Sequence, residues 1–180
     1  TIRMAGEREQ LLAQVESLAR HDALTGLPNR RSLYQQLHGG APAALLLMDI
    51  DDFKLVNDRL GHDAGDQVLI QVGQALQAAV AGRGTVARWG GEEFMALLPD
   101  MGAQAALDVA ESIRQQVARV RVTGGPVTLS IGLAVRREQE QLEQTLKRAD
   151  ERLYTAKNRG KNQVRSETEL DLTALAPARG

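Results

Sequence analysis

Asp49 stands at the end of a six-residue apolar run, Ala43 to Met48 in AALLLMDIDD, where a buried strand would hold the backbone rigid and aim the carboxylate outward. Asp51 falls on the same face if the strand continues. Read locally, Asp51 or Asp52 serves equally well to cap a following helix. A second acidic pair lies in RWGGEEF, where Glu92 and Glu93 follow Gly90 and Gly91 between two strand-like runs. Gly-Gly in that setting is a hairpin signal, and the local alternative is a plain turn with solvated glutamates. Adjacent carboxylates repel unless a cation sits beside them. If the hairpin lies next to the Asp49 strand in one sheet, three carboxylates converge. Hard oxygen ligands without His or Cys select Mg²⁺ or Mn²⁺ over zinc. Two such ions per active site are the general arrangement for nucleotidyl transfer. Gly90 and Gly91, lacking Cβ atoms, would then let a nucleotide approach the backbone closely.

Phosphates also need cations. Lys157 and Lys161 lie four apart in AKNRGKN, at the end of a helical pattern that Gly160 should terminate. Lysines are favourable at any helix C-terminus, so the pair has a purely structural explanation too. Lys54 is a further candidate. Asn57 and Asp66 could read a base: a carboxylate accepts from two donors at once, which guanine offers on one edge and adenine does not. Asp66 could equally be the N-cap of a helix over 66–80.

The elements that must position these residues follow from periodicity. Met4, Leu11 and Leu18 recur by seven with Val15 between, so 4–20 is a helix with a coiled-coil stripe or a surface helix. HDALTGLPNR is a turn, with Asn29 a candidate N-cap for a helix over 30–38. A strand over 43–50, a helix over 52–59, the loop GHDAGD and the 66–80 helix come next. The hairpin covers 84–98, a helix 103–120, and a strand 127–135 that alternates as Val127, Leu129, Ile131, Leu133 and Val135. Leu142, Leu146, Ala149 and Leu153 define the last helix, and 162–165 a short edge strand. This order predicts an α/β sandwich (α+β) whose central, mostly antiparallel sheet is covered by helices. Residues 1–20 are expected to be a linker helix, 21–165 the globular domain and 166–180 a tail.

Composition narrows the classes. With 22 Lys and Arg against 23 Asp and Glu, there is no basic field to hold a nucleic acid. With no cysteine, disulfides, thiolate metal sites and cysteine nucleophiles are excluded. The longest apolar run is too short to span a bilayer. A chain beginning at Thr1 is expected to be cut from a longer protein.

The motifs HDALTGLPNR, MDIDDFKLVNDRLGHDAGD, RWGGEEF, VTLSIGLA and ADERLYTAKNRGKN, in that order across about 21–165, resemble the GGDEF family, the diguanylate cyclases. The resemblance implies a palm-like fold shared with nucleotide cyclases and some polymerases. It implies condensation of two GTP molecules to cyclic di-GMP and two pyrophosphates. By position, Asp49, the Ile50 carbonyl and Glu92 would bind the Mg²⁺ ions, with Glu93 supporting and Glu92 helping to deprotonate the 3′-hydroxyl. Asn57 and Asp66 would recognise guanine, and Lys157 and Lys161 would hold the β- and γ-phosphates. Phe53 and Lys54 match the aromatic-lysine pair of the first acidic motif, and Glu92 is a variant accepted at the third signature position.

The family's Arg-x-x-Asp inhibitory site is replaced by Ala81-Gly82-Arg83-Gly84, so neither Ala81 nor Gly84 can supply its charge. No feedback inhibition through that site is expected. Lys161 stands where Arg is frequent and lacks its planar fork. A two-fold symmetric product requires a homodimer, at least a transient one, with two domains facing each other. Control is expected from an upstream regulatory region acting through helix 4–20. The expected setting is a cytoplasmic domain, with the full-length chain open to anchorage in a bacterial inner membrane. The alternatives are a catalytically degenerate GTP-binding regulatory module, a cyclic di-GMP receptor, and an adenylate cyclase.

Overall fold

The computed structural model describes residues 2–122 and 124–167. Its elements run α1 (Ile2–Arg20), α2 (Arg30–Leu37), β1 (Ala43–Ile50), α3 (Phe53–Leu60), α4 (His62–Val80), β2 (Thr85–Gly90), β3 (Glu93–Pro99), α5 (Ala103–Ala118), β4 (Leu129–Val135), α6 (Leu142–Asn158) and β5 (Val164–Arg165). The five strands form one sheet in the order β2-β3-β1-β4-β5. Every neighbour pair is antiparallel except β4 with β5. The expected mostly antiparallel sheet is therefore present, and the hairpin does lie beside the strand that carries Asp49.

Strand parity sorts the core into two layers. Leu46, Met48 and Ile50 of β1, Phe94 of β3 and Ile131 of β4 face Val68, Val72 and Leu76 of α4 and Ile113 and Val117 of α5. Leu45, Leu47, Met95 and Trp89 face the other way, against Leu33 and Leu37 of α2 and Leu142 and Leu153 of α6. β1 is buried on both faces, which is why it reads as an unbroken apolar run rather than an alternation. Gly132 lets α6 lie directly on β4: a Cβ there would come within 2.0 Å of the Ala149 carbonyl oxygen.

Three boundaries depart from the sequence expectation. GHDAGD is not a loop: only Gly61 (φ 89°) interrupts the chain, and α4 begins at His62. Asp66 therefore stands in the second turn of α4 and caps nothing. Within this first part of α4, Gly65 packs closely against the Asn57 and Phe53 side chains of α3. The expected helix over 103–120 ends at Ala118, and the 127–135 strand begins at Leu129. Most of the expected tail lies outside the described residues. Glu167, at its start, accepts from Arg148 and Arg152 of α6.

Candidate active site

The acidic residues gather where β1 ends. Asp49 continues the parity of Leu45 and Leu47 and so faces α6, with Glu93 opposite it on β3 and Ser130 opposite it on β4. The turn that follows β1 brings Asp51 onto the same face. Asp51 is almost fully buried, at 5% exposure, yet well satisfied. It accepts from Ser130 Oγ at 2.6 Å, Thr128 Oγ1 at 2.7 Å, Lys157 Nζ at 2.9 Å and the Asn162 amide at 2.9 Å. The capping alternative for Asp51 is thereby excluded. Asp52 flanks α3, but its side chain makes no capping bond either.

Lys157 reaches this corner from the last turn of α6. Its ammonium contacts Asp49 Oδ1 at 2.5 Å and Asp51 Oδ1 at 2.9 Å, and donates to the Ile50 carbonyl at 3.3 Å. Three oxygens from three consecutive residues thus converge on one cation. Lys161, beyond the helix, pairs with Asp52 at 2.5 Å. The helix breaks at Gly160 (φ 114°) as expected.

The hairpin turn is joined to this corner through the backbone, the Ile50 amide donating to the Glu92 carbonyl at 3.3 Å. Neither Gly90 nor Gly91 has a positive φ. A Cβ on Gly91 would meet nothing, and one on Gly90 would meet only the Glu93 carboxylate at 3.9 Å. The turn itself therefore does not demand glycine. Arg88 fastens the hairpin from behind, donating through Nη2 to the Gly91 carbonyl at 2.8 Å and pairing with Asp22 at 3.2 Å. Asp22 in turn accepts from the Thr25 amide and hydroxyl, each at 2.8 Å. HDALTGLPNR, read from sequence only as a turn, is a brace for GGEEF.

Burial shapes the charges. It raises the carboxyls of Asp49, Glu92 and Glu93 above the usual range. For Glu92 and Glu93 the negative charge of Asp49 adds to the rise; for Asp49, Lys157 opposes it without cancelling it. Burial would also raise Asp51, but the hydrogen bonds from Lys157, Ser130 and Thr128 outweigh it and leave Asp51 lowered. Burial disfavours the charge on Lys157, and its bonds to Asp49 and Asp51 more than restore it.

The expected three-carboxylate cluster is not formed as such. Among the described residues no three acidic or histidine side chains group as a metal cage. The convergence is instead two aspartates and a main-chain carbonyl around Lys157, because Asp49 and Glu93 are cross-strand neighbours of like charge. The donor chemistry still fits a hard divalent cation. Asp49 and the Ile50 carbonyl already share a positive group, and Glu92 stands beside them under the field of Asp49.

Asn57 and Asp66 occupy the facing helices α3 and α4. Asn57 Oδ1 is buried without a hydrogen-bond partner among the described residues. Gly65 lies against it: a Cβ there would come within 1.8 Å of that oxygen, so the Asn57 side chain would have to move. Asp66 and Lys54 are exposed. Ala81 flanks the end of α4, and Gly84 precedes β2 against the Leu97 carbonyl. Asp22 and Arg88 are the residues that sequence reasoning missed, whereas Asp51 was expected on the Asp49 face, with helix capping as its local alternative. The Asp22-x-x-Thr25 spacing of a side-chain turn was the one local signal available.

A sheet with this order, carrying a GGEE turn beside an aspartate-ended strand, defines a nucleotide-cyclase-like domain, and comparison with known proteins agrees. The profile described as diguanylate cyclase, GGDEF domain, matches residues 19–163. The chain belongs to the GGDEF domain family. It is 43% identical over 167 residues to diguanylate cyclase DgcM of Escherichia coli, covering 88% of this chain and 41% of that protein. It is 43% identical over 162 residues to the response regulator PleD of Caulobacter vibrioides, covering 82% and 36%. The chain thus spans about two-fifths of the length of these relatives. Among solved structures, the coiled coil and GGDEF domain of DgcB from Caulobacter crescentus, in complex with c-di-GMP, superposes with a TM-score of 0.81. The two are 33% identical, over 91% of this chain and 95% of that one. Diguanylate cyclase SiaD of Pseudomonas aeruginosa, in complex with its activator SiaC, gives 0.74 at 37% identity over 91% and 67%. No described helix is long and apolar enough to cross a membrane.

Proposed function

We propose that the chain condenses two GTP molecules into cyclic di-GMP with release of two pyrophosphates. The observation that carries this reading is the convergence of Asp49, Asp51 and the Ile50 carbonyl on one cation beside the Glu92 turn. Asp49, the Ile50 carbonyl and Glu92 would hold Mg²⁺ or Mn²⁺, two ions per site. Bound there, the metal would polarise the α-phosphate and lower the cost of ionising the 3′-hydroxyl.

Each side chain has a task in this scheme. Glu92, its carboxyl raised by burial and by Asp49, is suited to accept the 3′-hydroxyl proton. Glu93 supports the same charge from the neighbouring strand position. Lys157 keeps its proton and takes phosphate once Asp49 is otherwise neutralised, while Asp51 continues to hold it in place. Lys161 and Lys54 extend the cationic rim. Asn57, whose buried oxygen has no partner among the described residues, accepts from guanine, and Asp66 accepts from the same edge. Gly90 and Gly91 leave open space over the turn where a nucleotide can lie.

One chain offers one such site, so a symmetric product needs a second copy facing it. The exposed stripe Met4, Leu11, Val15 and Leu18 on α1 is suited to set that pairing, relaying an upstream regulatory region. Product inhibition through the Ala81–Gly84 window is absent in this reading. Incubating the chain with GTP and Mg²⁺ at several protein concentrations tests the whole proposal. Cyclic di-GMP should form, rising faster than linearly with protein. Bound but unconverted GTP would mark a regulatory module instead, and turnover of ATP an adenylate cyclase.

A further inference from the structure

Asp52 has a backbone and a partner that its position does not require. It lies in the left-handed region (φ 56°, ψ 30°) where α3 begins, yet its side chain makes no bond to the amides it could cap. Its carboxylate accepts from Lys161 Nζ at 2.5 Å instead. Lys161 is set just as firmly: its φ is 60°, and the next residue, Asn162, is tied through its amide to buried Asp51. Backbone geometry therefore brings the two charges together from opposite sides of the β1–α3 turn. Both remain open to a ligand, Asp52 being 56% and Lys161 43% exposed at the side chain. Asp52 is the only side-chain partner of Lys161 among the described residues, whereas Lys157 is shared by Asp49 and Asp51.

We propose that Asp52 is an affinity-limiting residue: an internal carboxylate competitor that a nucleoside triphosphate must displace from Lys161. The inference rests on the reading of Lys161 as a phosphate contact. An anion arriving at Lys161 replaces one ionic partner by another and leaves Asp52 unpaired beside a polyanion. Exposed ion pairs are weak, so the restraint is modest, and it tunes affinity without blocking the site.

The test is calorimetric titration of the full chain with the α,β-methylene analogue of GTP in Mg²⁺. Asp52→Asn should tighten binding about two- to five-fold, the range expected of an exposed pair. Asp52→Gly, which suits the left-handed backbone, should reproduce the gain while melting at or above the temperature of the unaltered chain. The gain should vanish with GMP, which lacks the β- and γ-phosphates, and vanish in a Lys161→Ala background. If Lys161→Ala weakens binding but Asp52→Asn does not tighten it, the competitor is overturned and the phosphate reading stands. A gain that persists without Lys161, or is equal with GMP, also overturns it, by showing a general field effect. If Lys161→Ala alone leaves affinity unchanged, the phosphate reading fails first, and the competitor falls with it.

Discussion

Asp51 accepts four hydrogen bonds from three separate parts of the chain: β4 and the residues before it, α6, and the turn after α6. Removing it would leave Ser130 Oγ and the Asn162 amide without their acceptor, while Lys157 would keep Asp49 and the Ile50 carbonyl. Asp51→Ala is therefore expected to cost about 2–3 kcal/mol, the scale for leaving buried donors unsatisfied, read by urea denaturation. Glu93 is the opposite case, a half-buried carboxylate facing Asp49 across the strands and raised by burial, Asp49 and Asp150. Glu93→Gln should raise stability by about 1 kcal/mol, or about 2–4 °C in Tm, while lowering cyclase activity. Glu92→Gln should preserve the circular dichroism spectrum and cut product formation by about 10²-fold or more, because it removes the proposed base and metal ligand together.

At the scale of elements, two glycines set how closely chains approach. Gly132 allows α6 to rest on β4, and α6 carries Lys157. Gly132→Ala would push the Ala149 carbonyl away. A destabilisation of about 1–3 kcal/mol is expected, with GTP affinity falling as Lys157 is displaced from Asp51. Gly84 is bound by a similar limit, since a Cβ there would come within 2.0 Å of the Leu97 carbonyl oxygen. Restoring the inhibitory pair by Ala81→Arg with Gly84→Asp should thus destabilise the hairpin without creating product inhibition. Thermal melting and an assay with added cyclic di-GMP check the two halves of that statement.

At the scale of the molecule, charge decides the acid limit. Asp22, Asp51, Glu140 and Glu167 all lie below their usual range: burial raises each, and hydrogen bonds and arginine or lysine partners outweigh it. Carboxylates lowered in the fold contribute stability that is fully present above their unfolded pKa and lost as pH falls through the folded one. Asp49, Glu92 and Glu93 are raised, so their stabilising effect has the opposite sign, fading as pH rises through their folded values. Stability should therefore hold down to about pH 4 and collapse below it, with Glu93→Gln removing part of the weakening seen on the way to neutrality. A pH series of melting curves reads both effects.

The sequence by itself determined a good deal. Periodicity marked the helices and strands to within a few residues, because an amphipathic stripe or a doubly buried run is a local pattern. Asp49, GGEEF, Asn57 and the lysines at the end of α6 each had a plain structural alternative when read alone, and it was the ordered series of motifs that marked them as candidates. The tertiary structure decided what those residues touch. Asp51 looked like a helix cap, and Asp66 a candidate for one, since capping is judged from neighbours in the chain. In the fold Asp51 bonds to residues 77 to 111 positions away, and α4 already begins at His62, ahead of Asp66. The Asp22–Arg88 brace and the Asp52–Lys161 pair were invisible for the same reason. Their partners are brought together by strand order and by left-handed turns, and neither leaves a periodic trace in the sequence.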